Sequence, residues 1–289
     1  MKILSFGEVL WDVYPDNQFI GGAPMNFAAH FAKHGDDVYM LSAVGKDALG
    51  EDSLNQLNQW GLSTKYVSVL EHKQTGKCLV TLDENSVPSY NLLQDVAYDY
   101  ISCENITDTF DVLYFGTLAL RSEYNFTSLQ NLLASKQFGD VFVDVNIRPP
   151  FYSESSVRFS LQNATVVKIS QEELAVVQQM LGMEPCEDYR TFSKDLAAAY
   201  PNLRCIIITL GGDGAYALDC VNQKEFGCGS EKVTVVSTVG AGDSFSAAFM
   251  HHYLQKRNLQ FCLEYASKVA GFVVTQYGAV PDYAMENFL

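Results

Sequence analysis

The segment from Val233 to Met250 reads VTVVSTVGAGDSFSAAFM, and how it divides decides what the rest of the chain must be. Val233 to Ser237 is β-branched and apolar, which predicts a buried strand. From Ser244 onward, Phe245, Ala248 and Phe249 recur at helical spacing. Gly240, Ala241 and Gly242 lie between the two, followed at once by Asp243. Two glycines around one alanine allow a sharp turn that gathers several N–H groups. A helix starting there adds its own unpaired N–H groups and the positive end of its dipole. Such a turn suits an anion, and a carboxylate at its rim suits proton removal from a group attacking a held phosphate. The competing reading makes Asp243 a plain helix N-cap and the glycines an ordinary loop; the motif alone does not exclude it.

The 289 residues, 48% hydrophobic and 18% charged, suffice for a large core and rule out a disordered chain. A net charge of −15 argues against nucleic acid or an anionic membrane as a general partner. A small anion can still be held where local dipoles and a few cations converge. The seven cysteines are scattered and never spaced C-x-x-C, so neither a disulfide framework nor a zinc site is expected. Glu8 and Asp12 interrupt the start too early for a signal-peptide apolar region, and no apolar run reaches membrane-spanning length. A cytoplasmic enzyme is the expectation.

Working outward, Ile3 to Val9 reads as a first strand with Gly7, Glu8 and Asp12 at its carboxyl end. Gly21-Gly22-Ala23-Pro24 leads into a helix, with proline in its first turn and Gly35 at its stop. Val38 to Val44 is a second strand, and a helix follows from about Asp47 to Trp60. Tyr66 to about Leu93 changes character: YVSVL, KCLVTLD and VPSYNLL are short alternating runs, which predicts an antiparallel flap. Strands near Asp111–Gly116, Val141–Val145, Thr165–Ile169, Cys205–Leu210 and Val233–Ser237 then alternate with helical segments. Repeated β-α units predict an α/β fold with a mainly parallel sheet between helices, in one domain spanning 1–289. Ligands of such sheets bind beyond the carboxyl ends of the strands.

Polar clusters follow five of these strands: Asp12 with Gly22 and Asn26; Asp144, Asn146 and Arg148; Lys168, Ser170, Glu172 and Glu173; the GGDGA run; and the turn with Asp243. Each alone reads equally as solvated surface or capping. Gathered on one sheet edge, they offer phosphate binding, acid/base work and carboxylates able to hold hydrated magnesium. No P-loop motif is present. Gly212-Asp213-Gly214 loosely fits a dinucleotide fingerprint, but AYALD after it reads as a second strand, which favours a hairpin. His251-His252 lacks metal-ligand spacing.

GGAPMNFAAH (Gly21–His30) is similar to the N-terminal signature of the ribokinase-like, phosphofructokinase B type carbohydrate kinases, and STVGAGDSF (Ser237–Phe245) to their C-terminal one. DVNIRPPFY, KISQEE and TLGGDGA resemble three intervening motifs in the expected order, and the likeness spans essentially the whole chain, closest to the fructokinase branch. The resemblance implies a three-layer α/β/α fold with a small β-stranded lid, here about 12–22 and 66–93. It implies ATP-dependent phosphorylation of a primary hydroxyl of a monosaccharide, fructose first, with 2-keto-3-deoxygluconate as the runner-up. A sugar-binding relative without catalysis and a dinucleotide oxidoreductase are the more distant alternatives.

Carried over by position, Asp243 is the implied base, and Gly240, Ala241 and Gly242 form the anion hole. Asp12, Gly22 and Asn26 are implied to grip the sugar, with Arg148 or Lys168 facing substrate or phosphate. Thr209, Gly211 and Gly214 border the ATP, the Thr275–Ala279 segment including Gly278 lies near the base, and Glu173 orders water around Mg2+. A homodimer paired through the lid is a further implication. Ser237 stands where the family usually has an aspartate that helps hold a monovalent cation, so K+ dependence does not carry over. Ser170-Gln171-Glu172-Glu173 replaces the usual Asn-x-x-Glu, a variant similar to the fructokinase-like branch.

Overall fold

In the computed structural model, which describes residues 1–82 and 88–288, β1 (Lys2–Phe6) leads to β2 (Leu10–Val13), β3 (Gln18–Gly21) and α1 (Ala23–Ala32). Then come β4 (Asp37–Gly45), α2 (Ala48–Gln59), β5 (Ser63–Leu70), β6 (Gly76–Leu82) and β7 (Pro88–Leu92). Strand and helix next alternate through β8 (Val112–Gly116), α3 (Glu123–Ser135), β9 (Asp140–Asp144), α4 (Glu154–Asn163) and β10 (Val166–Ser170). The helices α5 (Leu174–Leu181) and α6 (Tyr189–Ala199) precede β11 (Cys205–Thr209). The hairpin of β12 (Ala215–Asp219) and β13 (Lys224–Cys228) leads to the helices α7 (Ala241–Leu254) and α8 (Leu259–Val273).

Among the described residues, nine strands form the central sheet in the order β13-β12-β11-β10-β9-β8-β1-β4-β5. The sheet is parallel except that β12 runs opposite to both its neighbours. Period-2 alternation divides each central strand between two cores. Leu4 and Phe6 of β1, and Ile206 and Ile208 of β11, join the core that takes in Leu129 of α3, Val157 of α4 and Phe192 of α6. Ile3, Cys205 and Ile207 join the other, with Phe27 of α1, Phe249 of α7 and Leu263 of α8. The chain is therefore a three-layer α/β/α structure. No helix among the described residues is long and apolar enough to cross a membrane.

A second sheet, in the order β3-β2-β6-β7, pairs β2 with β6 in parallel and the outer strands antiparallel. This is the small β-stranded lid of the fold. It differs from the expected extent: Tyr66–Leu70 pairs with β4 at the edge of the central sheet instead. Its alternating pattern suits any strand with one face open, which is why sequence could not assign it. Residues 83–87 of the expected lid lie outside the described residues.

Two further differences matter. The first strand ends at Phe6, and the chain re-enters the lid as β2, so Asp12 stands on a lid strand. Val233–Ser237 is not a strand: Val233, Val235 and Val236 are exposed, and the segment is tied down by Val236 and Ser237 N–H groups donating to Val274 O. Val233 and Val235 satisfy the strand pattern without a strand partner, because they form part of the wall of a cavity.

Candidate active site

The bend before α7 is held by Gly240, whose φ is +79°. A Cβ there would meet Ala279 O at 2.3 Å, so both the left-handed backbone and the close approach require glycine. Among the described residues no side chain caps the helix that follows. Ala241 N–H turns back to Thr238 O at 3.3 Å and Ser244 N–H to Gly240 O at 2.9 Å. Among the described residues the Gly242 and Asp243 N–H groups have no acceptor, and Gly242 is exposed. Ala241 and Gly242 border a cavity of about 770 Å3. Unpaired amides at a helix N-terminus, open to a cleft, make an anion site by their own chemistry.

Asp243 stands in the first turn of α7. Its Oδ2 accepts from Asn26 Nδ2 at 2.8 Å. Asn26 comes from the first turn of α1, which starts from Gly22 at φ +118°; a Cβ on Gly22 would meet Glu8 O at 2.4 Å. Burial pushes the Asp243 carboxyl up to about 6; the Asn26 hydrogen bond opposes this, Asp144 adds to it, and Lys168 and Arg148 restrain it. Arg148 is exposed and makes no ion pair among the described residues.

Below the bend, strand register explains a buried ion pair. Lys168 on β10 is paired in register with Asp144 on β9, and both point to the face covered by α7. Lys168 Nζ donates to Asp144 Oδ2 at 2.6 Å, and Ser246 Oγ of α7 donates to the same oxygen at 3.3 Å. Burial alone lowers the Lys168 ammonium, but Asp144, Glu173 and Asp243 outweigh it and hold it above its ordinary value. The Nζ lies 3.6 Å from where a Gly242 Cβ would stand, so the charge sits directly behind the bend.

The cavity brings Thr209, Gly211 and Gly214 together with Ala241 and Gly242. Thr275 and Gly278 do not line it; Thr275 Oγ1 donates instead to Phe272 O at the end of α8, and Val274 takes the lining position. Glu173 binds two backbone amides, accepting from Ile147 N–H at 2.5 Å and Ser170 N–H at 2.7 Å. Asp12 is half-buried opposite Phe19, its carboxyl raised by burial and opposed by a hydrogen bond from Cys78. No cluster of three or more metal-ligating side chains occurs among the described residues.

Three groups stand close to this site to which motif reading gave no part in it. Glu8 is buried, and burial lifts its carboxyl to about 7 between Arg148 and Asp243. The fully buried Tyr114 hydroxyl feels Asp144 and Asp243 and has no partner among the described residues. Val233 and Val235 form an apolar wall of the cavity. The first two carry no spacing signal, since only the sheet brings them to Asp243. The valines did carry one, in the form of apolar residues whose burial partner is a ligand-sized space.

A model of the pfkB family carbohydrate kinases matches residues 4–284. The chain is 26% identical over 272 residues to a deoxyribokinase of Salmonella typhi, covering 93% of this chain and 86% of that one. It is 25% identical over 303 residues to a 5-dehydro-2-deoxygluconokinase of Lacticaseibacillus casei, covering 99% and 89%. The fold is similar to that of a fructokinase of Xylella fastidiosa solved with bound ATP, with a TM-score of 0.84 at 22% identity over 96% of this chain and 94% of that one.

Proposed function

The chain belongs to the pfkB family of carbohydrate kinases, and from that premise we propose that it transfers the terminal phosphoryl of ATP to a primary hydroxyl of a monosaccharide, fructose being the first assignment. The observation that carries the reading is the pair of free amides on Gly242 and Asp243 beside a carboxylate that Asn26 holds in place. Phosphoryl transfer needs positioning and charge stabilisation more than covalent help from the protein. In this reading the N–H groups around Gly240–Gly242 and the Lys168 ammonium stabilise charge on the migrating phosphoryl. Asp243 accepts the proton of the attacking hydroxyl. Asp12, Gly22 and Asn26 bind and orient the sugar. Thr209, Gly211 and Gly214 lie along the nucleotide phosphates, and Val233, Val235 and Val274 offer the adenine an apolar wall, a role we do not extend to Thr275 and Gly278.

Magnesium fits as the hydrated ion: each Glu173 oxygen already accepts one backbone N–H and keeps a lone pair for a water. Bound that way, the ion would neutralise charge on the ATP phosphates. Ser237 lacks the carboxylate that a monovalent cation favours, so potassium dependence is set by assay with and without the ion. We assign the small sheet as a lid over the sugar and, through its exposed Phe19 and Tyr90, as the surface for a homodimer.

Arg148 favours a second reading. An exposed guanidinium without an ion pair suits an acceptor that carries a carboxylate, such as 2-keto-3-deoxygluconate. An ADP-release assay over fructose, ribose, deoxyribose, tagatose, adenosine and the keto-deoxy sugar acids, with and without potassium, separates the two. Fructose as the best acceptor supports the first assignment, a sugar acid replaces it, and no ADP release with any acceptor defeats the kinase reading.

The acid limb of the rate profile follows from the site. Asp243 must be ionised to take a proton, so kcat/KM should fall as pH drops through about 6. Asn26→Ala removes the hydrogen bond that lowers this carboxyl, and the limb should move to higher pH. A limb that stays put, or moves to lower pH, contradicts Asp243 as the titrating group.

A further inference from the structure

Asn26 and His30 are one turn apart on α1 and share a face. Asn26 holds Asp243, and His30, 1% exposed, reaches the other side of the same bend. One ring nitrogen, Nε2, lies 2.8 Å from Ala279 O, and the other, Nδ1, lies 2.5 Å from Tyr283 Oη. A carbonyl can only accept, so Nε2 carries the hydrogen and Nδ1 accepts from the tyrosine hydroxyl. Burial pushes the imidazole down to about 4, which keeps it neutral at ordinary pH, and the Ala279 carbonyl selects the tautomer.

The carbonyl that His30 holds is the one against which Gly240 is packed. A Gly240 Cβ would lie 2.3 Å from Ala279 O and 2.8 Å from Ala279 Cα. The left-handed glycine that opens α7 thus rests on a peptide whose orientation His30 and Tyr283 fix.

We infer that His30 is a positioning residue for phosphoryl transfer: through Ala279 it sets the glycine bend, while Asn26, from the same helix face, sets the carboxylate. This rests on the reading of Gly240–Asp243 as the transfer site. One helix then holds the two halves of the site in register. A displacement near one ångström at a reacting centre costs on the order of a hundredfold in rate, so loss of this tie acts on kcat rather than on ground-state binding.

The test is steady-state ADP release with the best acceptor, together with calorimetric affinities for sugar and nucleotide, on His30→Leu, His30→Gln and Tyr283→Phe. His30→Leu fills the space without a donor and should lower kcat by about 10- to 100-fold with both affinities nearly unchanged. His30→Gln places an amide N–H where Nε2 stood and should recover most of that loss. Wild-type kcat in a folded His30→Leu protein, or a His30→Gln protein as slow as His30→Leu, overturns the inference. If His30→Leu does not fold, Tyr283→Phe decides: it removes the hydroxyl that anchors Nδ1 and so orients the ring on Ala279 O, and an unchanged kcat overturns the inference equally. Asp243→Ala in the same assay separates the underlying reading, since undiminished turnover there defeats the transfer site itself.

Discussion

Asp243→Ala is expected to lower kcat by about three to four orders of magnitude, the upper range for a general base, while sugar and nucleotide affinities change only a few-fold. The reason is geometric. The carboxylate has one strong partner, Asn26 Nδ2 on Oδ2, and sits in the first turn of α7 beside free amides. It takes no part in an ion pair among the described residues and does not cap a backbone amide, so its removal breaks no structural tie beyond Asn26. Thermal stability should therefore hold while turnover collapses. Single-turnover ADP formation with binding measured separately checks this. Near-wild-type turnover, or a loss explained wholly by weaker sugar binding, contradicts the assignment.

Lys168→Met gives the second large effect, and it falls on stability and turnover together. Asp144 and Lys168 are 1% and 5% exposed and bonded at 2.6 Å. Removing one member of a buried pair leaves an uncompensated charge and costs about 3–5 kcal/mol. Among the described residues Asp144 already has one oxygen without a partner, Oδ1, which sharpens the penalty. Adding Asp144→Asn to Lys168→Met should restore a large part of the stability, because the stranded charge is gone. It should not restore turnover, because the ammonium behind Gly242 is still missing. Denaturant unfolding and kcat, measured on the single and double variants, distinguish the two roles. Recovery of turnover along with stability would reduce Lys168 to a purely structural part.

Much of this was legible in the chain because the physics is local. The alternation in β1 and β11 assigns each side chain to one of two helix layers, and the glycine run at Gly240–Gly242 marks the turn that opens α7. Helix boundaries followed from their caps, as at Asp47, which accepts from Gly50 N–H to open α2. What escaped depends on partners distant in sequence. Asn26 and Asp243 are 217 residues apart, and Asp144 and Lys168 meet only through strand register. The charged position on β10 looked like a ligand contact by itself; the structure makes it half of an ion pair as well.

Val233–Ser237 misled for a different reason. Period and β-branching report that a residue seeks an apolar neighbour, and they do not say whether that neighbour is a strand, a helix or an open cavity. The hairpin strand Lys224–Cys228 failed oppositely: KEFGC at the sheet edge has too few apolar residues to signal a strand, and its pairing with β12 supplies the order.

If the Gly240 bend holds a migrating phosphoryl while Asp243 unloads the acceptor hydroxyl, both contacts must occur together in one complex. A crystal structure with ADP, magnesium, fluoroaluminate and the preferred sugar tests it directly. The expected complex has fluorides accepting from the Gly242 and Asp243 N–H groups, with the sugar hydroxyl donating to the Asp243 carboxylate. Fluoroaluminate bound elsewhere, or a sugar hydroxyl out of reach of Asp243, would contradict it.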